Sequence, residues 1–218
     1  MLFPTDEKIA SDKVFSNEIS DITKHIIANS VYAGCMTCRE IMSSPEALGI
    51  PRCKYFDTAS SIGFFINRIA AQYIDDNNFS DLKYYEKTVG HGRPMILFES
   101  GRVVFHIKKN RNSQKLPPRS NLRVNEAQEN KDAFLVLPGF EQPKTIYMIV
   151  TFNHKNFQLK YVQIGMADAE YNKWLNRWSL MDYIQKDRAE EMHKEYKSDL
   201  TEQAEAIIRK EYRLEMRH

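Results

Sequence analysis

One stretch of this 218-residue sequence concentrates positive charge. The 26 positions between Glu99 and Glu126 contain no aspartate or glutamate, whereas seven of them are lysine or arginine. The seven cations are Arg102, Lys108, Lys109, Arg111, Lys115, Arg119 and Arg123. Asparagine, serine and glutamine lie among them, and such a mixture of cations and amide donors suits a phosphate backbone. The segment therefore predicts a nucleic-acid contact, although a solvated surface loop can have the same composition.

Three residues in or beside this segment are candidates for catalysis. His106 could act as a general acid or base, Lys108 could stabilise a phosphorane, and Glu99 could bind a metal ion. A restriction-type nuclease needs a Glu-x-Lys pair on the adjacent strand, but the chain has His106-Ile107-Lys108 there. P-loop, GxGxxG, HExxH, GxSxG and EF-hand patterns are also missing from the sequence. The sequence favours a protein without cofactor or enzymatic activity, with a nuclease as the alternative.

The three cysteines show the beginning of a zinc-site spacing. Cys35 and Cys38 form a C-x2-C pair, and Cys53 follows 15 residues later. A structural zinc ion needs four ligands, so a site would have to recruit His25, His91 or a carboxylate from elsewhere. We therefore predict no metal site and interpret the cysteines as buried thiols. Their small, odd number is more typical of a reducing cytoplasm than of a disulfide-stabilised secreted protein.

The elements that must position these residues begin with helices in the first third of the chain. Apolar residues from Ile19 to Val31 recur at roughly helical spacing, and Gly34 predicts the stop. A shorter helix is predicted over 37–42, and the break before it leaves a helix-turn-helix as an alternative to two core helices. The strongest apolar stripe lies in a third predicted helix over 57–73.

The middle of the chain changes to the spacing of β-strands, and the end returns to helix. Strands are predicted at 95–98, 102–108, 133–138, 145–152 and 157–166. Short turns between them favour antiparallel pairing. Large apolar residues from Tyr171 to Ile184, including both tryptophans, are spaced as in an amphipathic helix. The charged segment after it has Leu200, Ile207 and Leu214 one heptad apart and predicts a long solvated helix.

Together these elements predict an α+β fold. N-terminal helices should pack on an antiparallel, or mixed, sheet of about five strands, followed by the tryptophan-containing helix and the charged helix. The basic segment then comprises the end of a strand at Lys108 and a loop over 109–130. We expect one domain over residues 1–185 and a charged helical extension over residues 186–218.

The overall composition is that of a globular chain that can bury a core. Hydrophobic residues make up 42% of it and charged residues 28%, and the formal net charge of +2 is too small to indicate a partner. No window reaches the roughly 18 apolar residues of a membrane span. The N-terminus lacks the basic and apolar regions of a signal peptide. We therefore expect a cytoplasmic protein without a membrane partner.

Two functional hypotheses from different classes follow. The first is a nucleic-acid-associated protein that contacts phosphate backbones through a basic hairpin and loop over residues 102–123. The second is a non-enzymatic protein-interaction or inhibitor module, of the kind encoded on mobile elements or phages. It would bind a protein partner, or dimerise, through its C-terminal helix and aromatic surface.

Overall fold

The computed structural model of the chain describes residues 4–43, 58–89, 93–134 and 145–196. They form helices and a six-stranded mixed sheet, which confirms the predicted α+β class. The helices are α1 (Pro4–Glu18), α2 (Asp21–Ser43), α3 (Thr58–Asn77), α4 (Asn121–Phe134) and α5 (186–196). The strands are β1 (Lys83–Val89), β2 (Arg93–Ser100), β3 (Val103–Lys109), β4 (Ile146–Lys155), β5 (Gln158–Ala167) and β6 (Trp174–Ser179). A short 3-10 helix, Met181–Tyr183, lies between β6 and α5.

The sheet consists of two antiparallel halves joined by one parallel pair. Its strand order is the chain order, β1 to β6. Neighbouring strands are antiparallel within β1–β3 and within β4–β6, whereas β3 and β4 are parallel. A parallel pair needs a long crossover, and here the crossover contains α4. The carboxyl ends of β3 and β4 therefore lie at the same end of the sheet.

Both faces of the sheet are covered, because side chains alternate between them along each strand. The helix face, which packs against α1, α2 and α3, carries the main core with Phe98, Phe105 and Phe152 fully buried. The second face packs against α4 in a smaller cluster that includes Ala127 and Ile149. α4 and the residues just before it thus form a layer of their own opposite the other helices.

Helix α2 is continuous where the sequence predicts a break. It runs from Asp21 to Ser43, so the predicted stop at Gly34 and the separate helix over 37–42 are wrong, as is the helix-turn-helix alternative. A β-carbon on Gly34 would collide with the Ile66 side chain and lie 3.0 Å from the backbone nitrogen of Ile66. Glycine is present here because α3 crosses α2 closely, and not because the helix ends.

The tryptophan-containing segment is a strand, so the predicted amphipathic helix over 171–184 is wrong. Residues Trp174–Ser179 form β6 at the edge of the sheet. Trp178 stacks on Phe15 of α1 with ring centroids 4.5 Å apart. Trp174 packs over Gly165 on the second face, beyond an irregularity in the β5–β6 register. A spacing of four residues fits both helical and strand periods, which is why the pattern did not separate the two.

The remaining element predictions have mixed outcomes. The helix over 57–73 and the strands at 95–98, 102–108, 145–152 and 157–166 are confirmed, whereas β1 and β6 were not predicted. Of the strand at 133–138, residues 133–134 end α4 instead and 135–138 lie outside the described residues. The charged helix is present over 186–196, with Met192 and Tyr196 buried in the main core, and 197–218 lie outside the described residues. Among the helices described, none is long and apolar enough to cross a membrane.

Candidate nucleic-acid interface

Strand β3 places the predicted cations at two different ends of the sheet. Arg102 precedes the strand and Lys109 ends it, and seven residues at about 3.3 Å each separate the two by roughly 20 Å. At the first end, the Arg102 guanidinium forms an ion pair with the Glu18 carboxylate of α1. Arg102 is therefore engaged within the protein and lies apart from the other cations.

Cations gather where β3 and β4 end and β5 begins, an arrangement that we call the basic end. Its members are Lys108, Lys109, Arg111, Lys155 and Lys160. All of them except Lys109 are exposed. Only three of the five belong to the predicted set, because Lys155 and Lys160 come from the β4–β5 hairpin. The parallel pairing of β3 with β4 brings this hairpin beside the basic segment.

Acidic groups collect at the opposite end of the sheet. A polar groove of about 470 Å³ there is lined by Glu18, Asp81 and Glu99, with Lys83 among them. Asp168 and Glu170 follow the end of β5, which lies at this same end because β5 runs antiparallel to β4. Charge is therefore unevenly distributed along the strand direction, with cations gathered at the basic end and acidic groups mixed with Lys83 and Arg102 at the opposite end.

The segment over 110–120 is held against the second face of the sheet by side chains that donate to its carbonyls. The donors and acceptors are Tyr161 to Asn110 (2.6 Å), Asn153 to Arg111 (3.2 Å), Gln163 to Ser113 (2.9 Å) and Tyr171 to Pro117 (3.2 Å). Arg177 also donates to the Ser113 carbonyl. Arg111, Lys115 and Arg119 therefore project, exposed, from a fixed backbone. From residue 121 onward the predicted loop over 109–130 is helix α4 instead.

Arg123, the last predicted cation, belongs to α4 and is half-buried. Its guanidinium donates a hydrogen bond to the Pro118 carbonyl. It also lies close enough to His106 of β3 to act on that imidazole electrostatically. Arg123 therefore supports the layer over the second face and is not one of the exposed cations.

The three catalytic candidates share the second face, but His106 is closed off from solvent. Glu99 and Lys108 lie on the same side of their strands as His106, half-buried and exposed respectively. Burial, together with the cations Arg123 and Lys108, lowers the pKa of His106 to about 3. The imidazole is therefore uncharged at neutral pH and has no exposed surface from which to meet a substrate. In the described part of the chain, its Nε2 atom has no hydrogen-bond partner.

The cysteine pair lies in the core of the molecule. Cys35 and Cys38 are both buried on α2, and burial raises the pKa of each thiol to about 12. A metal ligand must be a thiolate, which this environment disfavours. Cys53 lies outside the described residues, and those residues contain no group of three histidine, cysteine or acidic side chains placed to hold a metal ion.

A buried hydrogen-bonded chain that the sequence did not indicate connects α5 to α2. His193 Nδ1 lies 2.8 Å from the Thr37 hydroxyl and His193 Nε2 lies 3.0 Å from a Glu40 carboxylate oxygen. Hydroxyl, imidazole and carboxylate are the groups of a nucleophilic triad. Thr37, however, is fully buried and donates to the Ala33 carbonyl. The chain of contacts therefore fastens α5 to the domain and presents no nucleophile at the surface.

No protein-family model, curated protein or solved structure matches this sequence.

Proposed function

We propose that this protein binds the phosphate backbone of a nucleic acid through the basic end of its sheet. The observation that supports the proposal best is the uneven distribution of charge: exposed Lys108, Arg111 and Lys155 gather at one end, whereas acidic and basic groups are mixed at the other. A polyanion is attracted more strongly to the first end than to the second, so the protein has a preferred orientation toward it. A chain with a net charge of +2 gains no such attraction from its total charge.

The fixed backbone of residues 110–120 adds to this argument. A disordered basic loop must lose conformational entropy when it binds. Here, hydrogen bonds from β5 already order the backbone that carries Arg111. Arg102 is excluded from the proposed contact because it lies at the other end of β3, and Arg123 is excluded because it is half-buried in α4. The interface is therefore narrower than the predicted segment 102–123 and extends onto the β4–β5 hairpin.

The alternative function, a protein-interaction module acting through the C-terminal helix, has less support. Residues Ala189, Met192 and Tyr196 of that helix are buried against the domain itself. A partner would have to use its charged side or residues 197–218, which lie outside the described part of the chain.

The test compares two triple variants with the same loss of charge. One removes basic-end cations, Lys108→Gln, Arg111→Gln and Lys155→Gln. The control removes exposed cations near the acidic end, Lys83→Gln, Lys131→Gln and Lys173→Gln. Fluorescence anisotropy with labelled single-stranded and duplex DNA and RNA, between about 50 and 200 mM salt, measures the affinity and its salt dependence.

We expect the basic-end variant to bind at least about tenfold more weakly and to lower the salt slope by about 2 to 3, while the control stays within about twofold of the parent. Equal losses in both variants would mean that total charge, and not the basic end, governs binding. Undetectable binding of every probe at low salt would refute the proposed function.

A further inference from the structure

The tip of the β4–β5 hairpin holds a phenylalanine in a rare backbone conformation. Asn156 and Phe157 have φ angles of 51° and 61°, so the backbone of both residues is in the left-handed region. Tight hairpin turns require such angles, and their second residue is usually glycine. A bulky side chain at positive φ is unfavourable and persists where the surroundings hold it, often at binding sites. The contacts of the Phe157 ring must therefore contribute enough free energy to offset the cost of this backbone conformation.

The contacts of Phe157 form an ordered pair of rings. Its ring stacks on the His154 imidazole with centroids 5.5 Å apart and planes only 8° from parallel. The Phe157 backbone N–H lies 3.3 Å from His154 Nδ1, and Lys109 Nζ lies 2.9 Å from His154 Nε2. Both rings are half-buried, so the core supports the pair while part of it stays at the surface.

Positive charge surrounds this ring pair. Lys155 lies between the two rings in sequence and is exposed, and Lys109 contacts the imidazole directly. Arg111 is close by, since its carbonyl accepts from Asn153 beside His154. Burial and the Lys109 ammonium lower the pKa of His154, which favours the uncharged form of its ring. An aromatic surface bordered by cations is the combination that binds unpaired bases together with their phosphates.

We propose that the stacked rings of His154 and Phe157 are a platform for an unpaired base, so that the nucleic acid bound at the basic end is single-stranded. This inference rests on the proposed function and adds the class of substrate. Bases in a duplex are paired and stacked on each other, whereas a single strand can turn a base onto the rings. The exposed Lys155, between the two ring residues in the chain, can then contact a phosphate beside that base. DNA and RNA offer the same base surface.

The experiment uses the full chain, two variants of the hairpin and one control variant. Phe157→Gly removes the ring and suits the backbone conformation, while Phe157→Trp keeps an aromatic surface. Leu175→Ala is the matched control, because Leu175 is a partly buried apolar residue that packs against the same core from β6, outside the hairpin. Each protein is titrated with one labelled oligonucleotide sequence as single-stranded DNA, single-stranded RNA and the corresponding duplexes.

We expect Phe157→Gly to lower single-strand affinity about tenfold while duplex affinity changes less than about twofold. Phe157→Trp should retain binding, and its added fluorescence, relative to the two native tryptophans, should be quenched by single strands. Leu175→Ala should change neither affinity. A preference between the single strands identifies DNA or RNA as the source of the bases.

The outcomes separate this inference from the function on which it rests. Salt-sensitive binding that is equal for single strands and duplexes, and insensitive to Phe157→Gly, would overturn the platform and leave the backbone contact in place. Loss of single-strand binding in Phe157→Gly, with the basic-end triple variant unaffected, would support the platform and refute the proposed phosphate contacts. If the glycine variant fails to fold, absence of quenching in Phe157→Trp overturns the platform by itself.

Discussion

Protonation of His106 should destabilise the native state as the pH falls. The imidazole is closed off beneath α4, and burial with the nearby Arg123 and Lys108 lowers its pKa from 6.5 to about 3. In the unfolded chain the pKa returns to about 6.5. Between these two values the unfolded state takes up a proton that the native state does not. The contribution of His106 to the free energy of unfolding is therefore fully present above pH 6.5 and is lost as the pH falls toward 3.

The size of this effect follows from the interval between the two pKa values. Each pH unit inside the interval removes about 1.4 kcal/mol from the free energy of unfolding. Across the whole interval the loss is about 5 kcal/mol, which is comparable with the net stability of many domains. A loss of this size, if no other group offset it, would be enough to unfold the protein at low pH.

Glu126, on the same face of the sheet, acts in the opposite direction. Burial raises the pKa of its carboxyl group from 4.5 to about 7, although the cations Lys87 and Arg123 oppose the rise. Its contribution to stability is present below pH 4.5 and is lost as the pH rises toward 7. Between about pH 4.5 and 6.5 the two contributions nearly cancel, because each changes the free energy of unfolding by about 1.4 kcal/mol per pH unit with opposite sign. Below pH 4.5 the loss due to His106 proceeds without this compensation.

The assay is urea denaturation from pH 3.5 to pH 7.5 on the parent, His106→Gln, Glu126→Gln and the double variant. His106→Gln should lower stability by a constant offset and reduce the fall with pH by about 1.4 kcal/mol per unit. In parallel, the His106 Cε1–H proton resonance should not shift between pH 7.5 and pH 4. Parallel stability curves for parent and His106→Gln, or an imidazole that titrates near pH 6.5 in the folded protein, would refute this reasoning.

Two further predictions concern the packing of the fold. Gly34→Ala should destabilise the protein by about 1 to 3 kcal/mol, because its β-carbon would meet α3 where the two helices cross, and chemical denaturation measures the change. A more stable variant would mean that helix propensity outweighs the close approach. Asn130→Ala should cost about 2 kcal/mol or more, because the Asn130 amide satisfies both the N–H and the C=O of Tyr147, at 2.7 and 2.8 Å. Unchanged hydrogen exchange at the Tyr147 amide would contradict this role.

The sequence predicted those elements whose signals are local. The strands around Phe105 and Val162 were found because apolar residues, turn residues and antiparallel partners all lie within a few positions. Strand β1 was missed because nearly all its side chains are exposed, as at an edge, and no apolar alternation marks it. Gly34 was misinterpreted because a close helix crossing and a helix end both require glycine.

The candidate site was only partly accessible to such reasoning, because its geometry is non-local. Composition located the cations Lys108 and Arg111, but it could not show that Arg102 lies at the opposite end of the same strand. Lys155 joins the site through the parallel pairing of β3 with β4, which depends on residues about 40 positions apart. His154 and Phe157 had been assigned only to a turn and a strand start, and the sequence pattern gives no indication of their stacking.

The parallel pair in the middle of the sheet also has a kinetic consequence. Tight turns at Gly101 and Asn156 join β2 to β3 and β4 to β5, and hairpins of this kind form in microseconds. The pairing of β3 with β4 must instead close the 36 residues between Lys109 and Ile146, at a greater entropic cost. We therefore expect the two antiparallel halves of the sheet to form first and to pair with each other last. Until they dock, each has an unpaired inner edge, and during synthesis these edges are where the nascent protein is most exposed to misassembly.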